Sequence, residues 1–426
     1  MGNTIGQRFA DIYGKQLSIQ YITKVYKFMN ALFRTALFSS LTIALAVSAT
    51  IAPQTANAFE IQNATFIGQQ TIPNNAPVAG NPPTTLNGLS GLTYAGNDTY
   101  YAISDNAGTG DAKFHTLTIK IQDNNLQITP VSTTYLKTGL GAGISAQALD
   151  NEGVALTKDG KLWVSSEGYI THNPVVNPSI NQFSVKTGQQ LINLPIATKF
   201  KATFDANSNQ LTGIQSNRGF ESLTLTPDNR YLTTMTESSI ISDGSQKLLK
   251  NTLTNPNEFK RSRLVRYDLN TQTSQEFLYN AETIPVNIFA PGLTAVSEIL
   301  AVDSTGDRYL ALERTYVQSS PSVFSARIYE FDLKGATDIQ NQSAATAGIV
   351  AAKKQLVFDF ANLKTKMPNL EAMTWGPVLP NGQRSLILMS DNNYSPSSPT
   401  GPTVNNTQFF VLGVEFKPST TTILTK

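Results

Sequence analysis

Carboxylates recur along this sequence at a nearly fixed spacing, each pair bracketing two short apolar runs. Glu152 and Glu167 enclose NEGVALTKDGKLWVSSEG and stand fifteen positions apart. Glu221 and Glu237 are sixteen apart, Glu298 and Glu313 fifteen, and Glu371 and Asp391 twenty, the last pair around a longer Pro/Gly turn. An upstream copy, SGLTYAGNDTYYAISDN, has Ser90 in the opening place and Asp105 in the closing one. In an antiparallel hairpin the start of the first strand lies beside the end of the second, so each copy brings its two polar positions to one end. If the first strands line a channel, Glu152, Glu221, Glu298 and Glu371 gather around its mouth. Asp105, Glu167, Glu237, Glu313 and Asp391 then stand beside them.

Nine carboxylates in one funnel repel one another unless cations intervene. The signatures hold few positive residues, Arg218 ahead of Glu221 and Arg314 after Glu313. Calcium is the expected neutraliser, because it takes six to eight oxygen ligands from carboxylates, carbonyls and water. The expected metal ligands are Glu152, Glu221, Glu298, Glu371, Asp105 and Asp391. The expected catalytic residues are Glu221, Glu371, Arg218 and Arg314. Glu167 closes a second strand and is expected further from the axis, so Glu221→Gln and Glu371→Gln should alter a metal response more than Glu167→Gln. Two other readings stay open: acids that lock blade to blade by accepting backbone N–H groups, and metal-free acid/base chemistry.

Other chemistry has little to draw on. The chain has no cysteine and two histidines, which excludes thiol catalysis, disulfides and a multi-histidine zinc site. His172 falls in a loop at the same mouth, as a general acid, a ligand or a plain exposed residue; His115 falls in an outer strand and reads as structural. Trp163 and Trp375 read as core aromatics. Ser165, Ser166 and Ser222 lie near acids, but no Gly-x-Ser-x-Gly elbow and no phosphate-binding glycine loop occurs.

The elements that must position these acids are short strands. Each copy carries a turn signal between its two strands: Gly96-Asn97-Asp98, Lys158-Asp159-Gly160, Pro227-Asp228-Asn229, Ser304–Asp307 and Pro380-Asn381-Gly382. Outer strands are expected at Phe114–Ile121, Ile128–Tyr135, Gln182–Val185, Gln190–Ile196, Arg263–Leu269, Ser274–Leu278, Arg327–Leu333, Gln355–Phe360 and Gln408–Phe416. Pro73–Thr85 reads as a loop. Five units of about four strands predict an all-β chain folded as a β-propeller of five blades, with a sixth, degraded blade and a two-sheet sandwich as alternatives. The fifth copy lacks an outer strand and Ala64–Ile67 lacks a partner, so the N-terminal strand is expected to complete the last blade and close the ring.

Residues 1–58 are set apart as an N-terminal extension and signal peptide. Within them Met29–Ala58 reads as a secretory signal, with Lys24, Lys27 and Arg34 in or before its start, an apolar Thr35–Val47 and Ala56-Asn57-Ala58 as a cleavage site. An uncleaved anchor, and a start at Met1 or Met29, both stay open. The full chain has 32 basic and 30 acidic residues. Without its first 58 positions it is near neutral, so neither nucleic acid nor an anionic membrane surface is indicated. Residues 59–426 are expected to form a single domain and an exported monomer, periplasmic or extracellular, with no membrane insertion after cleavage.

At these same residues the sequence resembles the phytase-like family described by "esterase-like activity of phytase". The resemblance runs through Gly88–Asp105, Asn151–Gly168, Asn217–Glu237 with its NRGFESLTLTPD, Arg263–Leu269, Ser297–Arg314 and Asn369–Asn392. The family name borrows from calcium-dependent β-propeller phytases, which use acid-bound calcium to hold and polarise phosphate. What the resemblance implies is therefore a propeller with calcium-dependent phosphoester hydrolysis. The dense basic and acidic phosphate site of those phytases is not visible here, nor is the Arg-His-Gly motif of histidine acid phosphatases. A non-catalytic binding propeller of the cell envelope or exterior, holding a ligand at the funnel or at Ser395–Thr407, is the alternative.

Overall fold

The structure, a computed structural model, describes residues 59–418 apart from 74, 80–81, 106–109, 123–124, 245–260, 283–291, 318–322 and 394–405. The expected signal Met29–Ala58, Asn106 and nearly all of the loop Ser395–Thr407 lie outside the described residues.

Alternating apolar runs separated by Asn, Asp and Gly turns form hairpins here as the pattern requires. Asn97, Asp98, Gly160, Asn229, Gly306 and Gly382 all take positive φ in the turns between first and second strands. Blade 1 consists of Leu89–Gly96, Thr99–Ser104, Lys113–Gln122 and Asn125–Tyr135. Blade 2 follows with Asn151–Leu156, Lys161–Ser166, Ser179–Ser184 and Gln190–Leu194. Blade 3 is Phe220–Leu225, Tyr231–Thr236, Arg261–Asp268 and Thr273–Asn280. Blade 4 is Gly292–Ala301, Arg308–Val317, Val323–Asp332 and Lys353–Asp359. Asn369–Val378, Arg384–Asp391 and Thr407–Phe416 make three strands of blade 5, and the N-terminal strand Ile61–Ile72 pairs antiparallel with Thr407–Phe416 as its fourth. The ring is thus a five-bladed propeller closed by its N-terminal strand. Among the described residues there is neither a sixth blade nor an α-helix. The segment expected as a loop at Pro73–Thr85 instead includes a small ladder between Ala76–Val78 and Thr84–Leu86.

Burial follows from sheets packing face to face around the ring. Five apolar clusters occupy the five blade interfaces, including the closure, where Leu92, Ala102 and Leu117 of blade 1 meet Ile387, Met389 and Val411 of blade 5. Trp163 and Trp375 lie in two of these clusters, and the Trp375 indole N–H donates to the Ala301 carbonyl of blade 4 at 2.8 Å.

The first strands surround the axis and approach one another closely. A Cβ on Gly153 would stand 2.3 Å from the Leu223 nitrogen of blade 3, and one on Gly91 would stand 2.3 Å from the Glu152 carbonyl. Gly153→Ala must push backbone against backbone, so a loss of about 1–3 kcal/mol is expected, as for other overpacked interiors. Urea unfolding of the two proteins measures it. An unchanged midpoint would show that the inner strands are free to separate.

Candidate functional site: an acid ring at one end of the channel

One backbone device aims the opening acids. In every blade the first strand bulges against the second, near its start in blades 1, 2, 3 and 5 and midway along it in blade 4, and bulges re-aim side chains. The unpaired residue is Ser90 in blade 1, Glu221 in blade 3 and Glu371 in blade 5; in blade 2 the bulge takes in Glu152 and Gly153. Blade 4 differs. Its bulge falls at Ser297, while Glu298 is back in register opposite Leu312, and Glu313 stands opposite Val296.

That slip of one place reverses both signature acids of blade 4, because neighbouring strand residues face opposite ways. Glu298, expected among the metal ligands, accepts hydrogen bonds from the backbone N–H groups of Leu223 (3.2 Å), Ile299 (2.9 Å) and Met373. It ties blades 3, 4 and 5 together as a lock. Glu313 turns outward to the Tyr279 hydroxyl (2.6 Å), the Glu282 N–H (2.9 Å) and the Lys354 ammonium. Arg314 takes the place that a closing acid has in the other blades. Its guanidinium donates to Glu237 (2.7 Å), to the Asn369 side-chain oxygen (2.5 Å) and to Glu371.

The remaining acids converge. Oxygens of Asp150, Glu152 and Glu167 all lie within 4.8 Å of one another, and so do those of Glu167, Glu221 and Glu237. Glu167 is therefore at the centre of the group and 1% exposed, not further out as its strand-end position suggested. Asp150 and Glu237 also join the ring, although neither was expected as a ligand. Asp105 faces Glu152 and Asp391 through their charges, and Asp391 faces Glu371 in the same way.

Neutralisation is incomplete. Glu237 receives Arg218 at 2.6 Å as well as Arg314, and Glu371 receives Arg314, the Asn369 amide (2.7 Å) and the Ser90 hydroxyl (3.2 Å). Glu167 accepts the Gly219 N–H at 2.8 Å and also lies within hydrogen-bond reach of Glu221. Two carboxylates that close need a proton or a cation between them. Among the described residues no N–H or O–H group donates to Glu152, and Glu221 meets only that neighbouring acid. One oxygen of Asp391, a residue 6% exposed, is likewise without a partner.

Burial first, and then neighbouring negative charges, hold Glu152, Glu167, Glu221 and Asp391 well above the ordinary carboxylate range. Burial also pushes Asp150 up to about 6, against the lowering effect of the Tyr169 hydroxyl that faces it. Burial works against the charge on Arg314, yet Glu371, Glu237 and Glu221 keep it protonated. Hard oxygen donors crowded without enough positive charge are what a calcium-type ion requires, so the residues present fit that group.

His172 is exposed and stacks on Tyr169 with ring centroids 4.3 Å apart, at the edge of the ring. His115 is fully buried in blade 1 and bonded to Thr133 at 2.9 Å.

Residues 84–394 match the family described as phytase-like, esterase-like activity of phytase. A protein of Arthroderma benhamiae described as an uncharacterized secreted protein is 29% identical over 154 residues, 32% of this chain and 27% of that protein. The matched stretch thus spans about a quarter of that relative's length. Among solved structures, the periplasmic gluconolactonase of Pseudomonas aeruginosa is 10% identical over 83% of this chain and 98% of that one, with a TM-score of 0.33. A luciferin-regenerating enzyme is 12% identical over 78% and 80%, with a TM-score of 0.31. Likeness at this level says nothing about chemistry.

Proposed function

The chain belongs to the phytase-like family, and from that premise we propose that it is an exported, calcium-dependent ester hydrolase, with phosphoesters as its first substrate class. One observation carries this reading. Glu152 and Glu221, raised by bulges into a buried ring, face other carboxylates and receive no hydrogen-bond donor among the described residues. A structural acid such as Glu298 has its donors built in. Asp150, Glu152, Glu167 and Glu221 would hold the ion, with Asp105 and Asp391 across the ring. The chemistry that bound calcium supplies is reversal of the funnel's charge and polarisation of an ester oxygen.

The chain's own residues prepare that site. Arg314 fixes Glu371 and Glu237 in place, and Arg218 holds the other oxygen of Glu237. Glu221, raised by burial and by Glu237, Glu167 and Glu371, would give up its proton as the ion takes its place. Export is supported by the signal-like segment Met29–Ala58 and by the secreted relative. No helix of the described residues is long and apolar enough to cross a membrane.

Turnover of a generic phosphomonoester by the purified full chain should vanish in chelator and return with calcium. Hydrolysis indifferent to chelation overturns the reading. A second reading, a ligand-binding propeller without catalysis, is favoured by the commitment of Arg314 to acids, which removes it as a receptor for phosphate. Saturable ligand binding without turnover on phosphoesters or carboxylesters would select it.

A further inference from the structure

We propose that the acid ring holds two divalent cations, with Glu167 as the ligand common to both. One position lies between Asp150, Glu152 and Glu167, and the other between Glu167, Glu221 and Glu237. The inference rests on the cation-binding reading above and deepens it.

The repeat supplies its own control. Glu298 receives three backbone N–H groups, and Glu371 receives a guanidinium, an amide and a hydroxyl. Both acids are satisfied by the protein alone. Glu152 and Glu221 are each only 8% exposed; the described residues give Glu152 no N–H or hydroxyl, and Glu221 meets only the Glu167 carboxyl, with the charge of Arg314 acting on it without a hydrogen bond. They lie in different triples, so the lack of a donor occurs on both sides of Glu167. A buried carboxylate left in that state is costly, and each triple calls for positive charge of its own.

Glu167 can serve both positions. An ionised carboxylate offers about four acceptor directions on two oxygens; the Gly219 N–H at 2.8 Å takes one and Glu221 reaches another, which leaves two for ions. All the donor atoms are carboxylate oxygens, which suits calcium, magnesium or manganese and gives nothing to a softer metal. The two positions are unequal. Both oxygens of Glu237 are engaged by Arg218 and Arg314, whose charges compete with an ion there. The Asp150–Glu152–Glu167 position therefore fills first.

Calcium titration of the full chain, stripped with chelator and dialysed, tests this with calcium alone as the probe. Two ions should bind per chain in two phases. Glu152→Gln should abolish the tighter phase and Glu221→Gln the weaker one, each leaving one ion bound. Glu167→Gln should weaken both phases by at least tenfold while keeping the circular dichroism of the parent. Wild-type protein that binds no calcium overturns the cation reading as a whole. Binding of a single ion, or a Glu167→Gln protein that loses only one phase, overturns the shared ligand and leaves the cation reading standing. Should Glu167→Gln fail to fold, the other two variants decide: each must lose one ion, and loss of both or neither in either variant overturns the pair.

Discussion

Replacing Arg263 with methionine is expected to cost about 3–5 kcal/mol of stability. Arg263 lies at 0% exposure in the third strand of blade 3. It meets Asp243 through two hydrogen bonds, 2.5 and 2.8 Å, and Glu276 through one of 2.5 Å. It also donates to the carbonyls of Gln342 and Ser343. Lys199 reaches the other oxygen of Glu276 at 3.0 Å and the carbonyls of Gln340 and Gln342. One guanidinium therefore joins blade 3 to the segment that leads from blade 4 to its outer strand. Methionine matches the length of the stem but leaves Asp243 buried without its cation, and an unpaired buried charge dominates the cost. The urea midpoint should fall with an unchanged slope, and adding Asp243→Asn should recover part of the loss. A loss below about 1 kcal/mol would show that water reaches the pair and screens it. Calcium binding should be untouched, since none of these residues belongs to the acid ring.

Arg263 also illustrates what a sequence shows and what it hides. That it lies in a strand is legible, because Arg263–Leu269 reads as one, and the strand found is Arg261–Asp268. That it is a buried cation is not, because its partners come from residues 13 to 80 positions away. The blade count and the N-terminal closure were legible for a similar reason to the strand: turn residues and alternation are local, and a strand without a partner has few places to go. The ring of acids was legible as a whole and misplaced in one blade. Glu298 and Glu313 keep the expected spacing of fifteen, yet the bulge at Ser297 displaces both by one place and puts Arg314 in the ring. Spacing within a hairpin cannot reveal on which residue a bulge falls. Asp150 left a usable signal, since its counterparts before Glu221 and Glu371 are Gly219 and Asn369, a departure from the repeat. Glu167 left none, because its burial depends on the Gly219 N–H of the next blade.

The second large effect is an inverted response of stability to pH when calcium is absent. Asp150 is pushed up to about 6 by burial, and Glu152, Glu167, Glu221 and Asp391 are held higher than their ordinary values by burial and mutual repulsion. A carboxylate raised in this way binds its proton more tightly when folded than when unfolded. Its contribution to stability is complete below the unfolded value and is lost as pH rises through the folded one. For Asp150 alone, moved from 3.8 to about 6, the contribution is on the order of 3 kcal/mol. In chelator the melting temperature should therefore rise as pH is lowered from about 8 toward 6, against the usual direction for paired carboxylates. His115 opposes this at lower pH. Burial, and then Lys113, push it down to about 3, so the stability it contributes is lost as pH falls from about 6.5 toward 3, and the curve should turn over there. Calcium changes the slope because it binds the same carboxylates only when they have lost their protons. Its stabilising effect grows with its affinity, so the gap in melting temperature between calcium and chelator should widen steadily from pH 6 to 8. A gap that stays constant across that range would mean that protons and calcium do not compete for these acids, and that the ring is neutralised by the protein alone.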